Sequence, residues 1–418
     1  MADVAVDAAL TLAFSEEWGR VVATLIRVTG DWTLAEECAQ DAFEAAAVHW
    51  PRDGVPRSPG AWLTTTARNR ALDRLRRSTT EARKLREVAM LPPLDDEPGP
   101  DPGDEIPDDR LRLIFTCCHP ALAMDARVAL ALRTLCGLTV EEIARAFGVA
   151  EPAMQKRLVR ARGKIRHAGI PYRVPPAHLL PERLAGVLAV LYLMFTEGYA
   201  ATSGSALLRE PVSGEAIRLT RVLATLMPDE PEALGLLALE LLHDSRRTAR
   251  VDEAGDLVPL EEQDRSRWDA ERVAEGLRAL GTAARRDVVG PYQLQAAIAA
   301  CHATAAQAAD TDWHQIAALY GGLARIAPSP YVELARAIAV AMADGPDAGL
   351  VLLDALEAAG ELDGYHLLPA ARADLHRRAG RLDDAAAAYQ DALGLVRNDA
   401  ERRYLTRRLT EVTTGPHP

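Results

Sequence analysis

Residues 138–166 constrain the fold of this chain more than any other stretch. Their first half, LTVEEIARAFGV, places Ile143 and Phe147 on one face of a short helix. Gly148 follows, where a helix commonly ends in a left-handed residue. From Pro152 the sequence turns helical again, since proline is tolerated in the first turn of a helix. The stretch therefore predicts two short helices joined by a tight turn.

The second of these helices is strongly basic. Met154, Leu158 and Ile165 share its apolar side. The rest of its surface carries six cations: Lys156, Arg157, Arg160, Arg162, Lys164 and Arg166. This pattern is typical of a helix-turn-helix whose second helix enters the DNA major groove. A charged amphipathic helix is more often a solvated face, so the segment alone leaves both interpretations open.

Composition favours an all-α, cytoplasmic protein of two or three domains. Ala and Leu dominate, aromatic residues are only 5%, and 418 residues exceed one ordinary core. The longest apolar run, residues 184–195, is too short to cross a bilayer, and the N-terminus lacks the order of a signal peptide. Five scattered cysteines suit a reducing compartment. We therefore expect no membrane partner.

The net charge of −12 is unevenly distributed along the chain. Residues 1–50 carry nine acidic residues against two arginines, whereas residues 52–87 carry ten Arg or Lys against four acidic residues. Residues 145–173 are basic again, with eight cations against one acid. Residues 88–109 hold eight acidic residues and no base among Pro and Gly, which predicts a flexible linker. Two separated basic segments suit a protein that contacts DNA at two places.

The first unit is predicted to be a helical bundle. Asp31 can cap a helix over residues 32–50, with Leu34, Cys38, Ala42 and Phe43 facing inward. The outer face of this helix forms an acidic ridge of Glu36, Glu37, Gln40, Asp41 and Glu44. By itself, such a ridge is most simply a solvated face.

A second basic helix is predicted over residues 61–77. Trp62, Leu63 and Ala67 begin its apolar side. Its polar side carries Arg68, Asn69, Arg70, Arg74, Arg76 and Arg77. An Asn among arginines can hydrogen-bond a base edge while the arginines hold phosphates. The alternative is an Asn that is merely solvated on an exposed helix.

Three ordered motifs now stand together: DxxxAEExxQDAFxxxxxxW from residue 31, WLxxxARNxAxDxxRR from residue 62, and LTxxEIAxxFGVxxxxxxxRLxRAR from residue 138. Over roughly residues 10–170 the chain resembles an extracytoplasmic-function sigma factor of the sigma-70 family, group 4. Such proteins are bacterial RNA polymerase subunits with two promoter-binding domains. The resemblance implies region 2 at residues 8–87, the acidic linker at 88–109, and a region 4 helix-turn-helix at 110–172.

The resemblance also implies roles for individual residues. Asp31, Glu36, Glu37, Gln40, Asp41 and Phe43 would lie on the helix that docks on core RNA polymerase, where the clamp of the β′ subunit and the flap of the β subunit are the partners. Trp62, Arg68, Asn69, Arg70, Arg74, Arg76 and Arg77 would recognise and melt the −10 element, with Asn69 contacting a base and Asp73 orienting arginines. Gln155, Lys156, Arg157, Arg160, Arg162 and Lys164 would bind the −35 element.

The first turn of the last helix departs from the family pattern. These sigma factors often begin it with Ser or Thr and a small polar run, whereas this chain has AEPAMQ at residues 150–155. Glu151 still complements the positive end of a helix. The promoter sequence that this helix binds therefore does not follow from relatives.

The remaining residues exceed the minimal two-domain form. Residues 180–290 predict a helical connecting domain with the tetrapeptide TEGY at 196–199, which also occurs in sigma factors with a long C-terminal extension. Within residues 291–412, Ala348, Leu352 and Ala355 match Ala385, Tyr389 and Ala392 at an offset of 37 residues, and Tyr320 lies 32 residues before Leu352. This periodicity resembles tetratricopeptide repeats, which would regulate or support the sigma half and offer a surface to a regulatory protein. The alternative is an ordinary alanine-rich bundle.

Other combinations of polar residues predict neither a cofactor nor an enzyme. Cys117, Cys118 and His119 lack a second Cys/His pair at zinc-ligand spacing, so they are expected to be buried cysteines with no metal. No nucleophile motif or phosphate loop accompanies His243-Asp244 or residues 312–314. The competing function is a helix-turn-helix transcriptional regulator with a repeat-based sensor domain that is not part of polymerase. Binding to core polymerase separates the two.

Overall fold

The structure, a computed structural model, describes residues 2–77, 109–147, 149–199, 210–253, 255–286 and 288–414. These ranges hold eighteen α-helices, several short 3-10 helices and one isolated β-bridge between Val251 and Leu257, which confirms the all-α expectation. None of the described helices is long and apolar enough to cross a membrane. Of the predicted linker at 88–109, only Asp109 lies within the described residues.

The chain divides into two compact units. Unit 1 comprises Met1–Met194 and Gly214–Val222, and unit 2 comprises Phe195–Ser213 and Leu223–Pro418. Unit 1 thus extends beyond the two predicted promoter-binding domains, because it includes residues 180–194. It also includes Glu215, whose carboxylate pairs with the Arg110 guanidinium at 3.1 Å in a largely buried contact.

Unit 1 begins with a three-helix bundle of α1 (Ala2–Thr29), α2 (Trp32–Asp53) and α3 (Pro59–Arg77). Gly30 ends α1 and begins the turn to α2. Its φ is near +64°, a conformation that glycine adopts without strain. Asp31 then caps α2, as predicted, by accepting hydrogen bonds from the backbone N–H groups of Thr33 and Leu34 at 2.9 and 3.1 Å. The bundle therefore fixes which faces of α2 and α3 remain at the surface.

The second part of unit 1 contains α4 (Asp109–Cys117), α5 (Met124–Leu135), α6 (Val140–Ala146) and α7 (Glu151–His167). Thr139 and Glu142 cap α6 reciprocally, with each side chain accepting from the other residue's backbone N–H at 3.1 and 2.8 Å. Met154, Leu158 and Ile165 of α7 are all buried, which confirms the predicted inward face of the helix-turn-helix. Gly148, the predicted helix end, lies outside the described residues.

The remaining helices are α8 (Leu180–Tyr199), α9 (Glu210–Leu226), α10 (Pro231–Asp244), α11 (Ala270–Ala284), α12 (Pro291–Thr304), α13 (Trp313–Ile326), α14 (Pro330–Asp344), α15 (Pro346–Ala359), α16 (Leu367–Arg378), α17 (Leu382–Leu395) and α18 (Asp399–Thr414). From α12 onward, each helix of unit 2 packs against the next one in the chain. This sequential packing gives unit 2 the organisation of stacked helix pairs.

The residues matched in the predicted repeat are buried in α17 and only partly buried in α15. Ala385, Tyr389 and Ala392 are buried, as expected. In α15, Ala355 is exposed and Leu352 is half-buried against the core. The buried residues are Gly349, Leu350 and Leu353, of which Gly349 and Leu353 lie 36 residues before Ala385 and Tyr389. Gly349 takes this place because a Cβ there would lie 2.4 Å from the Ala341 Cβ. By the same register, Tyr320 of α13 lies 33 residues before Leu353.

Candidate nucleic-acid interface

Helix α7 presents a basic surface. Gln155, Lys156, Arg160 and Lys164 are all exposed, as the sequence predicts. The helix begins after Ala150, whose side chain makes no capping bond, and Glu151 stands in its first turn. An acidic residue there complements the positive end of the helix. The exposed face can therefore approach a phosphate backbone and the base edges of a groove.

Arg157 is held more firmly than the exposed cations of α7. Its guanidinium lies 3.4 Å from the carboxylate of Asp125 on α5 and 5.6 Å from the ring centre of Phe147. Both contacts tie α7 to the rest of the helix-turn-helix. Arg157 is thus half-buried and contributes to positioning the helix as well as to its charge.

Val159 is a surface residue of α7 that the sequence interpretation missed. Its side chain is 64% exposed and lies one helical turn after Gln155, on the same face. Its position on the helical wheel was the missed signal, because Val159 falls outside the inward stripe of Met154, Leu158 and Ile165. An apolar side chain on such a face is suited to contact the methyl group of thymine.

Helix α3 carries the second predicted DNA-binding set. Asn69 is exposed, and Arg68 is half-buried beside it. Asp73 lies 3.5 Å from Arg76, and both side chains are well exposed. Arg77 is the last residue of the helix, and its side chain lies outside the described part of the structure. A polar face with an accessible amide is therefore present where the motif predicts one.

Trp62 lies at the start of this helix as part of an aromatic contact. Its ring meets that of the buried Trp50 edge-to-face at 5.8 Å, and the His49 ring lies 6.4 Å away. The half-buried indole is therefore fixed by α2, with part of its surface left accessible.

The acidic face of α2 partly neutralises α3. Arg74 donates to Glu37 at 2.5 Å and to Asp41 at 2.8 Å, and Arg70 lies 3.5 Å from Asp41. Beneath these pairs, burial raises the pKa of the Cys38 thiol to about 11. Gln40 is exposed and donates to Glu44 at 3.2 Å. We name Glu37, Gln40, Asp41 and Glu44 the outer acidic face of α2.

Glu36 does not belong to that outer acidic face, which corrects the sequence interpretation. It is only 8% exposed and receives a hydrogen bond from Arg162 of α7. A second cation, Arg133 of α5, lies 3.5 Å from its other carboxylate oxygen. One helical position separates Glu36 from Glu37, and this rotation of about 100° turns Glu36 toward the helix-turn-helix.

Phe43 joins an aromatic cluster with α1. Its ring centre lies 5.2 Å from that of Phe14 and 5.9 Å from that of Trp18. The inward orientation predicted for Phe43 is therefore confirmed, and its half-buried ring supports the bundle.

The other polar groups singled out in the sequence have structural contacts. Cys117 and Cys118 are buried, as predicted, and burial raises the pKa of Cys118 to about 12. Among the described residues, no three His, Cys, Asp or Glu side chains are grouped so that they could hold a metal ion. Asp244 is buried against Arg272 and Arg247, and Asp312 caps α13 through the backbone N–H of Gln315.

A helical bundle with an outer acidic face and a polar, Asn-bearing helix, followed by a basic helix-turn-helix, is the arrangement of a two-domain promoter-binding protein. Comparison with known families agrees. Sigma-70 region 2 matches residues 14–81, and Sigma-70, region 4 matches residues 112–165. Residues 183–284 match a family of unknown function, DUF6596. No solved structure gives a significant match.

Individual relatives point the same way. An uncharacterized protein of Rhizobium meliloti (strain 1021) is 42% identical over 412 residues, which cover 97% of this chain and 96% of the relative. A probable ECF RNA polymerase sigma factor, SigI of Mycobacterium tuberculosis, is 27% identical over 38% of this chain and 54% of its own length. A probable RNA polymerase sigma factor, RfaY of Xanthomonas campestris, is 28% identical over 35% of this chain and 37% of its own length. The chain belongs to the extracytoplasmic-function group of the sigma-70 family.

Proposed function

We propose that this chain is an alternative sigma factor that binds core RNA polymerase in the cytoplasm and directs initiation at its own set of promoters. The observation that carries the proposal is the joint presence of the outer acidic face of α2, the exposed Asn69 on α3 and the exposed basic face of α7. A simple operator-binding regulator requires only the last of these three features.

Each of the three surfaces binds a different partner. The outer acidic face of α2 meets a basic surface on the polymerase clamp, where complementary charge speeds docking. Helix α7 binds the upstream duplex, with cations on phosphates and Gln155 and Val159 at base edges. Helix α3 captures bases of the melted strand beside Asn69. Extracting a base from the stack costs about a few kcal/mol, so the captured base requires compensating contacts.

The decisive experiment is in vitro transcription of the source genome with core polymerase, with and without the full-length protein, followed by mapping of RNA 5′ ends. The proposal expects new start sites that share upstream sequence elements and depend on the protein. A protein that binds duplex DNA by itself but yields no start sites is instead a regulator outside polymerase. A protein that does neither contradicts both functions.

Matched variants assign the surfaces. Glu37→Lys reverses a charge in the middle of the outer acidic face, and Asp53→Lys makes the same change at the exposed end of α2. We expect only Glu37→Lys to weaken binding to core polymerase. Asn69→Ala is matched by Thr65→Ala, an exposed residue one turn earlier on α3. Loss of a base contact predicts about a 5- to 100-fold loss of open complexes for Asn69→Ala alone.

For unit 2 we propose regulation or support of the sigma half by its stacked helix pairs, whose repetitive surfaces are suited to protein partners. A truncation after residue 173 would also remove Glu215 and its pairing with Arg110 inside unit 1. A truncation after Leu226 keeps unit 1 complete and is the better test. A change in the number of transcripts per sigma molecule supports a regulatory role, and unchanged output contradicts it.

We also propose that the chain catalyses no covalent reaction. His243 and Asp244 have different partners, since the His243 ring lies tilted against the Tyr199 ring at 5.4 Å while Asp244 pairs with Arg272. Burial and nearby arginines hold the pKa of His243 well below its usual range. A neutral, enclosed imidazole with no adjacent nucleophile is a structural group.

A further inference from the structure

The tetrapeptide TEGY at residues 196–199 has no part in the polymerase-binding or DNA-binding surfaces, yet its last residue has a specific environment. Tyr199 is the final residue of α8 and is only 8% exposed. Gly198 packs so closely on α9 that a Cβ there would lie 2.3 Å from the backbone nitrogen of Ser213. The ring of Phe195 stacks on that of Tyr199 at 5.3 Å. These contacts hold Tyr199 in one position inside unit 2.

Two arginines from the segment that follows α10 lie against Tyr199. The Arg250 guanidinium donates to the backbone carbonyl of Tyr199, and its Cζ atom lies 3.8 Å from the centre of the Tyr199 ring. The Cζ atom of Arg246 lies 5.6 Å from the same ring centre. Arg250 is only 9% exposed, and Arg246 is half-buried. Two positive charges therefore converge on one aromatic ring in a largely enclosed place.

The two histidines beside these arginines are neutral. Arg246 lies 3.3 Å from Nδ1 of His243, and because a guanidinium can only donate, Nδ1 accepts and the imidazole proton resides on Nε2. Burial and the neighbouring arginines hold the pKa of His243 well below its usual range. Burial, Arg246 and Arg265 lower the pKa of His302 to about 4. His243 thus orients Arg246, and neither imidazole is charged at neutral pH.

The two arginines lack a carboxylate partner within the part of the chain that the structure describes. The polar contacts of Arg246 and Arg250 there are an imidazole and a backbone carbonyl. Glu401 acts on Arg250 only from a distance, since its carboxylate lies 3.2 Å from His366. Burial, together with Arg246, outweighs Glu401, so that the pKa of Arg250 is lowered. Buried charges are ordinarily paired, and the arrangement therefore suits an anion supplied from outside the chain.

Two buried polar atoms near the arginines have no hydrogen-bond partner among the described residues. They are the hydroxyl oxygen of Tyr199 and Nδ1 of His302. An unpaired buried polar group destabilises a fold, so native proteins retain few of them. A Tyr199 hydroxyl that donates to a bound anion would be paired like other buried hydroxyls.

We propose that Tyr199, Arg246 and Arg250 form a binding site for the oxyanion of a small soluble molecule, either a carboxylate or a phosphate. Guanidinium groups bind both oxyanions through paired N–H donors, and the tyrosine hydroxyl supplies a further donor. The ligand is a small molecule rather than a protein surface, because Tyr199 and Arg250 are too deeply buried for a folded partner to reach. This site goes beyond the proposed function as a sigma factor, and its tests require neither polymerase nor DNA.

Isothermal titration calorimetry of the full-length chain tests the site with inorganic phosphate and, separately, with succinate, both at matched ionic strength. We expect saturable binding of at least one probe, and the tighter of the two identifies the oxyanion that the site prefers. Arg246→Gln removes one guanidinium from the site. The matched control, Arg325→Gln, removes an exposed arginine of α13.

Loss of a hydrogen bond to a charged group predicts about 10- to 100-fold weaker binding in Arg246→Gln. Arg325→Gln should bind the probe as the unmodified chain does, which also shows that the exposed cations of α7 are not the source of the signal. Equal affinity in the two variants overturns the proposal. So does the absence of saturable binding of either probe by the unmodified chain.

Tyr199→Phe separates binding from folding. It removes a hydroxyl that has no partner among the described residues and keeps the ring on which Phe195 and Arg250 pack. Without a probe, the midpoint of thermal unfolding should therefore stay the same or rise. With the probe, we expect about 10-fold weaker binding than in the unmodified chain. Unchanged affinity, or a midpoint that falls in the absence of the probe, overturns the assignment of this hydroxyl to a bound anion.

Discussion

Glu36 and Glu37 are neighbours on α2, yet they pair with arginines in two different regions of the molecule. Glu37, with Asp41, pairs with Arg74 of α3 inside the same three-helix bundle, where all three side chains retain substantial exposure. Glu36 pairs with Arg162 of α7, which lies far along the chain, and both side chains are largely buried. The same ion-pair chemistry therefore serves a local, solvated contact on one side of α2 and a contact between two regions on the other.

The difference lies in solvation rather than in distance. An exposed ion pair contributes less than about 1 kcal/mol because water and salt screen both charges. A buried charge that loses its partner is left without water, so its loss costs several-fold more. The outer acidic face can thus exchange α3 arginines for another partner at small cost, whereas Glu36 can change partner only when the two regions separate.

Glu36→Ala should produce the largest effect. The substitution leaves Arg162 and Arg133 close together without their carboxylate, so we expect it to weaken the contact between the regions by about 3 kcal/mol. A urea titration of a chain that carries a donor and an acceptor fluorophore at Thr65 of α3 and Ala168 after α7 measures this as a lower midpoint for loss of energy transfer. A midpoint shift equivalent to less than 1 kcal/mol would place the ion cluster among ordinary surface pairs.

The reactivity of Cys38 reports on the contact between α2 and α3, because Cys38 lies under the ion pairs of Arg74. Burial raises its pKa from 9.0 to about 11, so at pH 8 its thiolate is about 100-fold scarcer than that of an unperturbed thiol. Alkylation should therefore be slow and should accelerate as pH rises toward 11. Mass spectrometry of alkylated Cys38 measures the rate.

That rate should be the same in Glu36→Ala as in the unmodified chain, because the bundle of α1, α2 and α3 remains closed when the regions part. Faster alkylation of Cys38 in Glu36→Ala would show that the two sides of α2 are coupled. The α2–α3 contact and the contact between the two regions would then not be independent of each other.

The local elements of the fold were predictable because their signals are local. The inward stripe of Met154, Leu158 and Ile165 follows from helical periodicity alone, and the cap at Asp31 follows from its side chain. The buried small residue of α15 was harder to predict, because the helix offers several small residues. Only the close approach of Gly349 to Ala341 determines which one is buried.

The position of Glu36 could not be predicted, because its environment depends on a partner 126 residues away. A helical wheel of α2 places Glu36 within the acidic ridge, and nothing in the surrounding sequence indicates that Arg162 covers it. The role of Gly19 could not be predicted either. A single glycine inside a helix gives no hint in the sequence that the backbone of Leu135 packs against it. Contacts between regions, unlike those within a helix, follow from the fold.

Asp41→Asn should have the smallest effect. Arg74 keeps Glu37 at 2.5 Å, and the lost carboxylate charge is partly exposed, so we expect a loss of about 0.5 kcal/mol in stability. Energy transfer between the labelled regions should not change, because Asp41 faces α3 alone. Thermal unfolding and the labelled urea titration measure the two quantities. A loss as large as that of Glu36→Ala would mean that burial does not separate the two sides of α2, and that its whole acidic surface acts as one unit.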